Sequence, residues 1–396
     1  MKYKLIFLLL LGLDALNLIY QTSEISISYR ESLILYGDFS PLQAVIKISI
    51  YIFSQNDLAL RLPMILAHVL SVILLFKISK HYIENVRNRL WLILIFILLP
   101  GVLSSAIIID AAGLIIFALL LFIWLHINGY KKAYYLLLLV FVFIDNSFVY
   151  LFLALIIFSL YTKNKQFLIY NTILFFISVF LFGIDAHGSP VGHFLDTLGL
   201  YAAIFSPIIF LYLIFVIYRK YLIKELDIIW FISSTALIIS LILSFRQSIK
   251  VEHFAPYLIV ALPIVASSFI SSYRVRLKQF RKGYKMMFIV SIILLLFNTV
   301  VVLFNKEIYR VIENPRKHFV YKFHVAKELA KELKRRSINC VDTDKKMQLR
   351  LQFYGVTKCD DYKLIQKYIK NSNGENVTIS YTNRPVYFAN VTKIYK

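Results

Sequence analysis

Chemistry in this chain is to be sought at ionised side chains that border or interrupt long apolar runs, because a charge at membrane depth is costly unless a partner or a function offsets it. In chain order these residues include Glu24, Arg30, Glu31, Asp38, Arg61, Asp110, Asp145, Asp185, His187, His193, Asp196, Arg246, Lys250, Glu252 and His253. Acids, histidines and bases gathered on one face can bind an anionic lipid headgroup and carry out acid–base work. Ordinary loop residues are the other reading, and residue types alone leave both open. Asp14 lies inside the first apolar run and is expected to pair within a helix bundle, and Asp145-Asn146 is expected to cap a helix break. The segment DAHGSPVGHFLD (185–196) carries two His and two Asp, yet its spacing matches no specific metal motif. No metal ligand set is therefore assigned, and any cofactor, a divalent metal included, stays unknown.

The elements that must position these groups are apolar helices. The chain is 59% hydrophobic, with runs longer than a soluble core absorbs. A span needs about 20 apolar residues. Candidates are residues 5–20, 62–78, 90–109, 112–127, 134–144, 148–161, 167–183, 200–218, 228–243, 254–271 and 286–304, about eleven in all. The fifth and sixth are short and read either as a re-entrant pair or as two tilted helices. The first run follows Lys2 and Lys4 as a signal peptide would, but lacks a small-residue cleavage site and reads as an uncleaved span.

The formal net charge of +22 would suit a nucleic-acid binder, but Lys and Arg cluster between apolar runs and in the tail, which argues against nucleic acid and for a membrane protein. Basic loops at Lys80/Arg87/Arg89, Lys131/Lys132, Lys163/Lys165, Arg219/Lys220/Lys224 and Arg274–Lys282 alternate with loops poorer in Lys and Arg, which hold most loop acids and histidines. The positive-inside rule then predicts a multi-pass plasma (inner) membrane protein with a cytoplasmic N-terminus and an extracytoplasmic tail, provided that the fifth and sixth runs both cross.

Two domains follow, a membrane domain over residues 1–304 and a water-facing α/β domain over 305–396. The tail predicts an amphipathic helix over 325–336 and strands over 338–343 and 377–381, while 347–354 reads as strand or helix. Between the first two spans, Pro41–Phe53 predicts a helix lying in the membrane interface with Lys47 on its other face. Cys340 and Cys359, both in the tail and without a CxxC, do not form a zinc motif and are candidates for a disulfide if the tail is outside. The triplets beginning at Asn376 and Asn390 match the glycosylation sequon and receive no role.

Residues 28–63, SYRESLILYGDFSPLQAVIKISIYIFSQNDLALRLP, resemble the first outer loop of GT-C glycosyltransferases of the protein-mannosyltransferase and aminoarabinose-transferase type. The shared pattern is an acidic position near the end of the first span, Pro41 with an interfacial helix, and Arg61-Leu62-Pro63 opening the second span. Pro100 followed by Asp110 is similar to the family's third span and second acidic position, and KVEHFAPYLIVALP (250–263) to its late span. The resemblance implies an all-α polytopic membrane bundle with a small C-terminal α/β domain. It also implies transfer of a sugar from a polyprenyl-phosphate donor to a lipid or glycan acceptor, such as lipopolysaccharide or lipid A, on the outer side. Glu31 and Asp110 would be the catalytic acids, and Arg61, Arg246, Lys250 and His253 would take the donor phosphate.

One position departs: the family's Asp-Glu is Arg30-Glu31 here. Loss of a base typically removes about 10²–10⁴-fold of rate, so either Glu31, Asp38 or Asp110 serves instead, or the chain is a non-catalytic membrane subunit or scaffold with a protein partner. A transporter is disfavoured because no repeat symmetry or matched pair of broken helices is visible.

Overall fold

The computed structural model describes residues 2–183, 192–367 and 374–394; Asp185 and His187 lie outside the described residues. In chain order, α1 (Lys2–Glu24) is followed by the short α2 (Tyr29–Tyr36) and α3 (Pro41–Phe53), then α4 (Asp57–Tyr82). Next come α5 (Val86–Leu98), α6 (Pro100–Ile107), α7 (Ala111–Ile127), α8 (Lys131–Phe141), α9 (Phe148–Tyr161) and α10 (Lys165–Phe182). The bundle continues with α11 (Phe194–Phe205), α12 (Pro207–Leu222), α13 (Ile228–Ser244), α14 (Val251–Ile259), α15 (Leu262–Val275) and α16 (Arg281–Leu303). The tail adds α17 (Ala326–Arg335), α18 (Lys345–Phe353), β1 (Tyr362–Ile365), β2 (Glu375–Tyr381) and β3 (Arg384–Lys393).

This is a polytopic membrane bundle with a small C-terminal sheet, and every apolar run of the sequence contains helix. Three runs that read as single spans are broken: α5 from α6 by 60°, α11 from α12 by 106°, and α14 from α15 by 42°. Proline explains the first two. Pro100 and Pro207 each occupy the first position of the second helix, and the residue before each, Leu99 or Ser206, leaves the helical region. Among the described residues, four helices are long and apolar enough to cross a membrane, or up to eight if each bent pair counts as one span. The expected eleven is not reached on this measure because α7, α9 and α13 are shorter apolar helices of 10–17 residues and α8 has only 11.

The chain forms two compact units, residues 1–15 with 64–298 and residues 16–63 with 299–396. The first has an apolar core drawn from α4 to α16, including Phe96, Phe122, Phe152, Phe205 and Tyr257. Within it α9 packs on α10 and α13, and α14 on α7 and α13. Gly113 permits the close approach of α7 to α6, since a Cβ there would lie 2.6 Å from the Ser105 carbonyl oxygen.

The second unit joins the tail to the segment after the first apolar run. Its core gathers Ala326, Leu329, Ala330 and Leu333, one stripe of α17, with Met347 and Leu351 of α18 and Val377, Ile379 and Tyr381 of β2. The strands are antiparallel in the order β1-β3-β2. Thr382 and Asn383, both at positive φ, close the β2–β3 hairpin, and the ladder is irregular after Ile379, where Pro385 cannot donate. The predicted strand over 377–381 is present, and 347–354 resolves as the helix α18. The strand expected over 338–343 is not a strand. Val341 bonds Thr357 while Asp342 bonds Tyr362, so the segment changes partner within one residue and makes only isolated bridges.

In α3, polar Gln43 and Ser49 are buried, bonding the Leu35 and Ala59 carbonyls, while Ile48, Tyr51, Ile52 and Phe53 are exposed. An outward apolar face of this kind is what an interfacial helix offers to lipid. Cys340 and Cys359 form a disulfide.

Candidate functional site

In the second unit the first-loop acid is built into a helix start. Ser28 is the N-cap of α2, its hydroxyl accepting from the Glu31 N–H (3.2 Å), and the Glu31 carboxylate accepts from the Ser28 N–H (2.8 Å), a complete capping box. Glu31 and Arg61 have no exposed surface. Arg61 Nη2 donates to Glu31 Oε1 and Oε2 (3.3 and 3.1 Å) and to the Ser26 carbonyl (3.1 Å). The guanidinium and the Ser28 N–H thus give the buried carboxylate partners in place of water.

The pair is one link in a longer chain of charge. Asp57, one helical turn before Arg61 in α4, lies 3.9 Å from Arg61 Nη1. Its Oδ1 accepts from the Tyr354 hydroxyl (2.6 Å) and its Oδ2 from Lys327 Nζ (2.7 Å). Tyr354 Oη in turn accepts from the Ile27 N–H (2.9 Å). Burial, and then the Asp57 charge, push the Tyr354 hydroxyl far above its ordinary pKa, so it stays a donor. Arg350 closes the arrangement from α18, donating to the Ile27 and His324 carbonyls (2.8 and 2.6 Å) and the Ser26 hydroxyl (3.2 Å). Acid and base alternate along Glu31, Arg61, Asp57 and Lys327, from the fully buried pair out to the partly exposed lysine. His324 is buried beside them, its Nδ1 2.8 Å from the Tyr309 hydroxyl. Burial, then the charge of Lys306, lower its pKa to about 3, so the imidazole is neutral.

The other sequence candidates belong to the first unit. Asp110 is the N-cap of α7, accepting from the Ala112 N–H at 2.9 Å, and is partly exposed. Lys250 stands at the N-cap of α14, exposed, with His253 half-buried one turn later; Arg246 is exposed before it. The packing of α14 on α7 brings the helix of His253 against the helix that Asp110 caps. Asp14 has a partner the sequence did not name, His68 Nε2 at 2.7 Å, both buried. Asp145 does not cap α9, whose N-cap is Ser147; it accepts from the Ser147 N–H at 2.8 Å in the turn before that helix.

The structure therefore brings Glu31 and Arg61 together and assigns Asp110, Arg246, Lys250 and His253 to the other unit. Arg61, a candidate for the donor phosphate by resemblance, spends its guanidinium on Glu31 and backbone carbonyls. Sequence reading missed Asp57, Lys327, Arg350 and Tyr354. Only Asp57 carried a local signal, its i,i+4 spacing to Arg61. Among the described residues the one grouping with metal-ligand spacing is Cys340, Cys359 and Asp361, whose two sulfurs are joined in the disulfide and offer no thiolate.

No protein-family model matches this chain, and no curated protein matches it. Among solved structures it is similar to the crystal structure of ArnT from Cupriavidus metallidurans in the apo state, with a TM-score of 0.57, 12% sequence identity and coverage of 97% of each chain. The fold is GT-C-like, as the first-loop resemblance implied.

Proposed function

We propose that the protein is a membrane glycosyltransferase that moves a sugar from a polyprenyl-phosphate donor to a lipid or glycan acceptor of the cell envelope, such as lipopolysaccharide or lipid A, on the outer side of the plasma membrane. The likeness of fold to ArnT over 97% of the chain is the observation that supports this reading most. In the proposed reaction a carboxylate takes the proton of the acceptor hydroxyl while its oxygen bonds to the sugar's anomeric carbon. The bond from that carbon to the phosphate oxygen breaks, and polyprenyl phosphate leaves with the electron pair. Cations that neutralise the departing phosphate lower the barrier.

Asp110 and Glu31 are the proposed acids. Lys250 and His253, exposed and half-buried at the start of α14, and Arg246, exposed just after α13, are proposed for the phosphate. For Arg61 the proposed contribution to the phosphate side is indirect, through positioning Glu31.

The test is sugar transfer from a lipid-linked donor by the purified full-length protein, comparing the wild type with Asp110→Asn and Glu31→Gln. Asn retains the capping of α7, so a loss of about 10²–10⁴-fold in kcat for Asp110→Asn with unchanged folding supports a base at that position. Full activity in both variants removes these acids from the mechanism.

A second reading, a non-catalytic subunit or scaffold of an envelope glycan-modifying complex, is favoured by one observation: Glu31 is buried, its carboxylate bonded to the Ser28 N–H and Arg61. Wild-type protein that transfers no sugar from any lipid-linked donor and co-purifies with a partner would establish that reading.

A further inference from the structure

The helices α5, α12, α15 and α16 leave a partly open groove of about 740 Å³ between them, within the first unit. That is the size of a small-molecule site, for which about 300–1,000 Å³ is usual. One side is a stripe of α15 at helical spacing, Leu262, Val265, Ala266, Phe269 and Ile270. A stripe of this kind is ordinarily filled by its neighbour. Here α16 does not fill it; from α16 comes Ser291, whose hydroxyl bonds the Met287 carbonyl (2.8 Å). Ile95, Ile208, Ile209 and Met287 line the groove too, so the floor is mostly apolar, with Tyr212 and Ser291 as its polar side chains.

The mouth is different. Arg87 and Asn88 at the start of α5, Arg274 at the end of α15 and Lys285 at the start of α16 line it, and no acid is among the lining residues. Arg87, Arg274 and Lys285 are exposed. Arg281 holds the connection beside them, donating to the Arg276 and Arg274 carbonyls at 2.8 Å each. Trp91, at the rim, packs edge-on to Phe288 with centroids 5.4 Å apart, an aromatic of the kind that sits at headgroup level. From Leu262 to Arg274 the groove follows α15 for about 18 Å at about 1.5 Å per residue. One leaflet of hydrocarbon, half of about 30 Å, has nearly the same depth.

We propose that this groove holds an anionic glycerophospholipid of the surrounding bilayer, with one acyl chain along the α15 stripe and the phosphate at Arg87, Arg274 and Lys285. Three cations without an acid match a headgroup of net negative charge rather than a zwitterion, and a mostly apolar floor about one leaflet deep matches an acyl chain rather than a free phosphate.

The experiment is native mass spectrometry of the full-length protein, stripped of lipid in detergent and then supplied with equal amounts of phosphatidylglycerol and phosphatidylcholine. Preferential retention of phosphatidylglycerol is expected. Arg274→Gln should reduce that preference about fivefold, and Arg87→Gln with Arg274→Gln and Lys285→Gln should abolish it. Ala266→Trp, which fills the floor and leaves the charges, should expel the retained lipid whatever its headgroup; Ser291→Phe does the same from α16 if the first variant does not fold. Equal retention of the two lipids overturns the proposal. So does unchanged phosphatidylglycerol retention in the filled variants, which would mean surface charge alone, or displacement of phosphatidylglycerol by equimolar polyprenyl phosphate, which would make this a prenyl-chain site.

Discussion

Arg61 and Arg246 carry the same guanidinium in opposite surroundings. Arg61 has no exposed surface and meets Glu31, Asp57 and two backbone carbonyls, whereas Arg246 faces outward at the end of α13. The contrast extends to the units they belong to. In the second unit the charges are knit into helix starts and backbone carbonyls, so their first effect is on which structure forms. In the first, Asp110, Arg246, Lys250 and His253 lie at helix ends with surface left over. A buried ion pair contributes little net stability against an apolar replacement, but breaking one partner is costly. An exposed charge contributes little to folding.

That contrast breaks most directly at Arg61. Arg61→Ala leaves Glu31 buried without its cation and should destabilise the second unit by about 3–5 kcal/mol. Hydrogen exchange over residues 25–35 and 345–355 reads this locally, and unchanged protection would show that the network is incidental. The next effect is that of the disulfide. Cys340→Ser with Cys359→Ser removes a cross-link between residues 19 apart and should cost about 3 kcal/mol in the chain-entropy description, seen as faster proteolysis of the tail.

Third is pH. The folded pKa of His324, about 3, lies below its unfolded value, so the unfolded chain takes up the proton first. Its contribution is complete above about pH 6.5 and is lost as pH falls toward 3, about 2 kcal/mol of it by pH 5. Tail protection measured at pH 7 and pH 5 should show that loss, and His324→Phe should flatten it. The smallest expected effect on stability is that of Arg246→Ala, within about 0.5 kcal/mol, while the KM for a lipid-linked donor rises. A large fall in Tm instead would erase the distinction between the two groups.

Part of the network was legible in the sequence. Ser28 and Glu31 have the spacing of a capping box, and Asp57 and Arg61 that of a helical ion pair, both set within one or two turns. Pro100 and Pro207 likewise announce the breaks at α6 and α12 before any packing is known. Reading Glu31 only as a catalytic acid passed over the cap, and reading residues 200–218 as one span passed over Pro207. The strand expected over 338–343 failed for another reason. Alternation of side chains marks a segment as extended, but a ladder also needs one continuous partner, and this segment divides its bonds between Thr357 and Tyr362.

The apolar runs, their charge-bordered ends and the amphipathic stripe of α17 follow from the sequence by itself, because helix period and hydrophobicity are local properties. The resemblance around residues 28–63 carried the fold class as well. Tertiary structure alone decided that Tyr354 and Lys327 converge on Asp57, and that Arg350 reaches back to Ser26 and Ile27, across separations of about 270–320 residues. No local pattern encodes such partners. Each polar group taken from water must find a complement, and only the folded chain shows which distant residue supplies it.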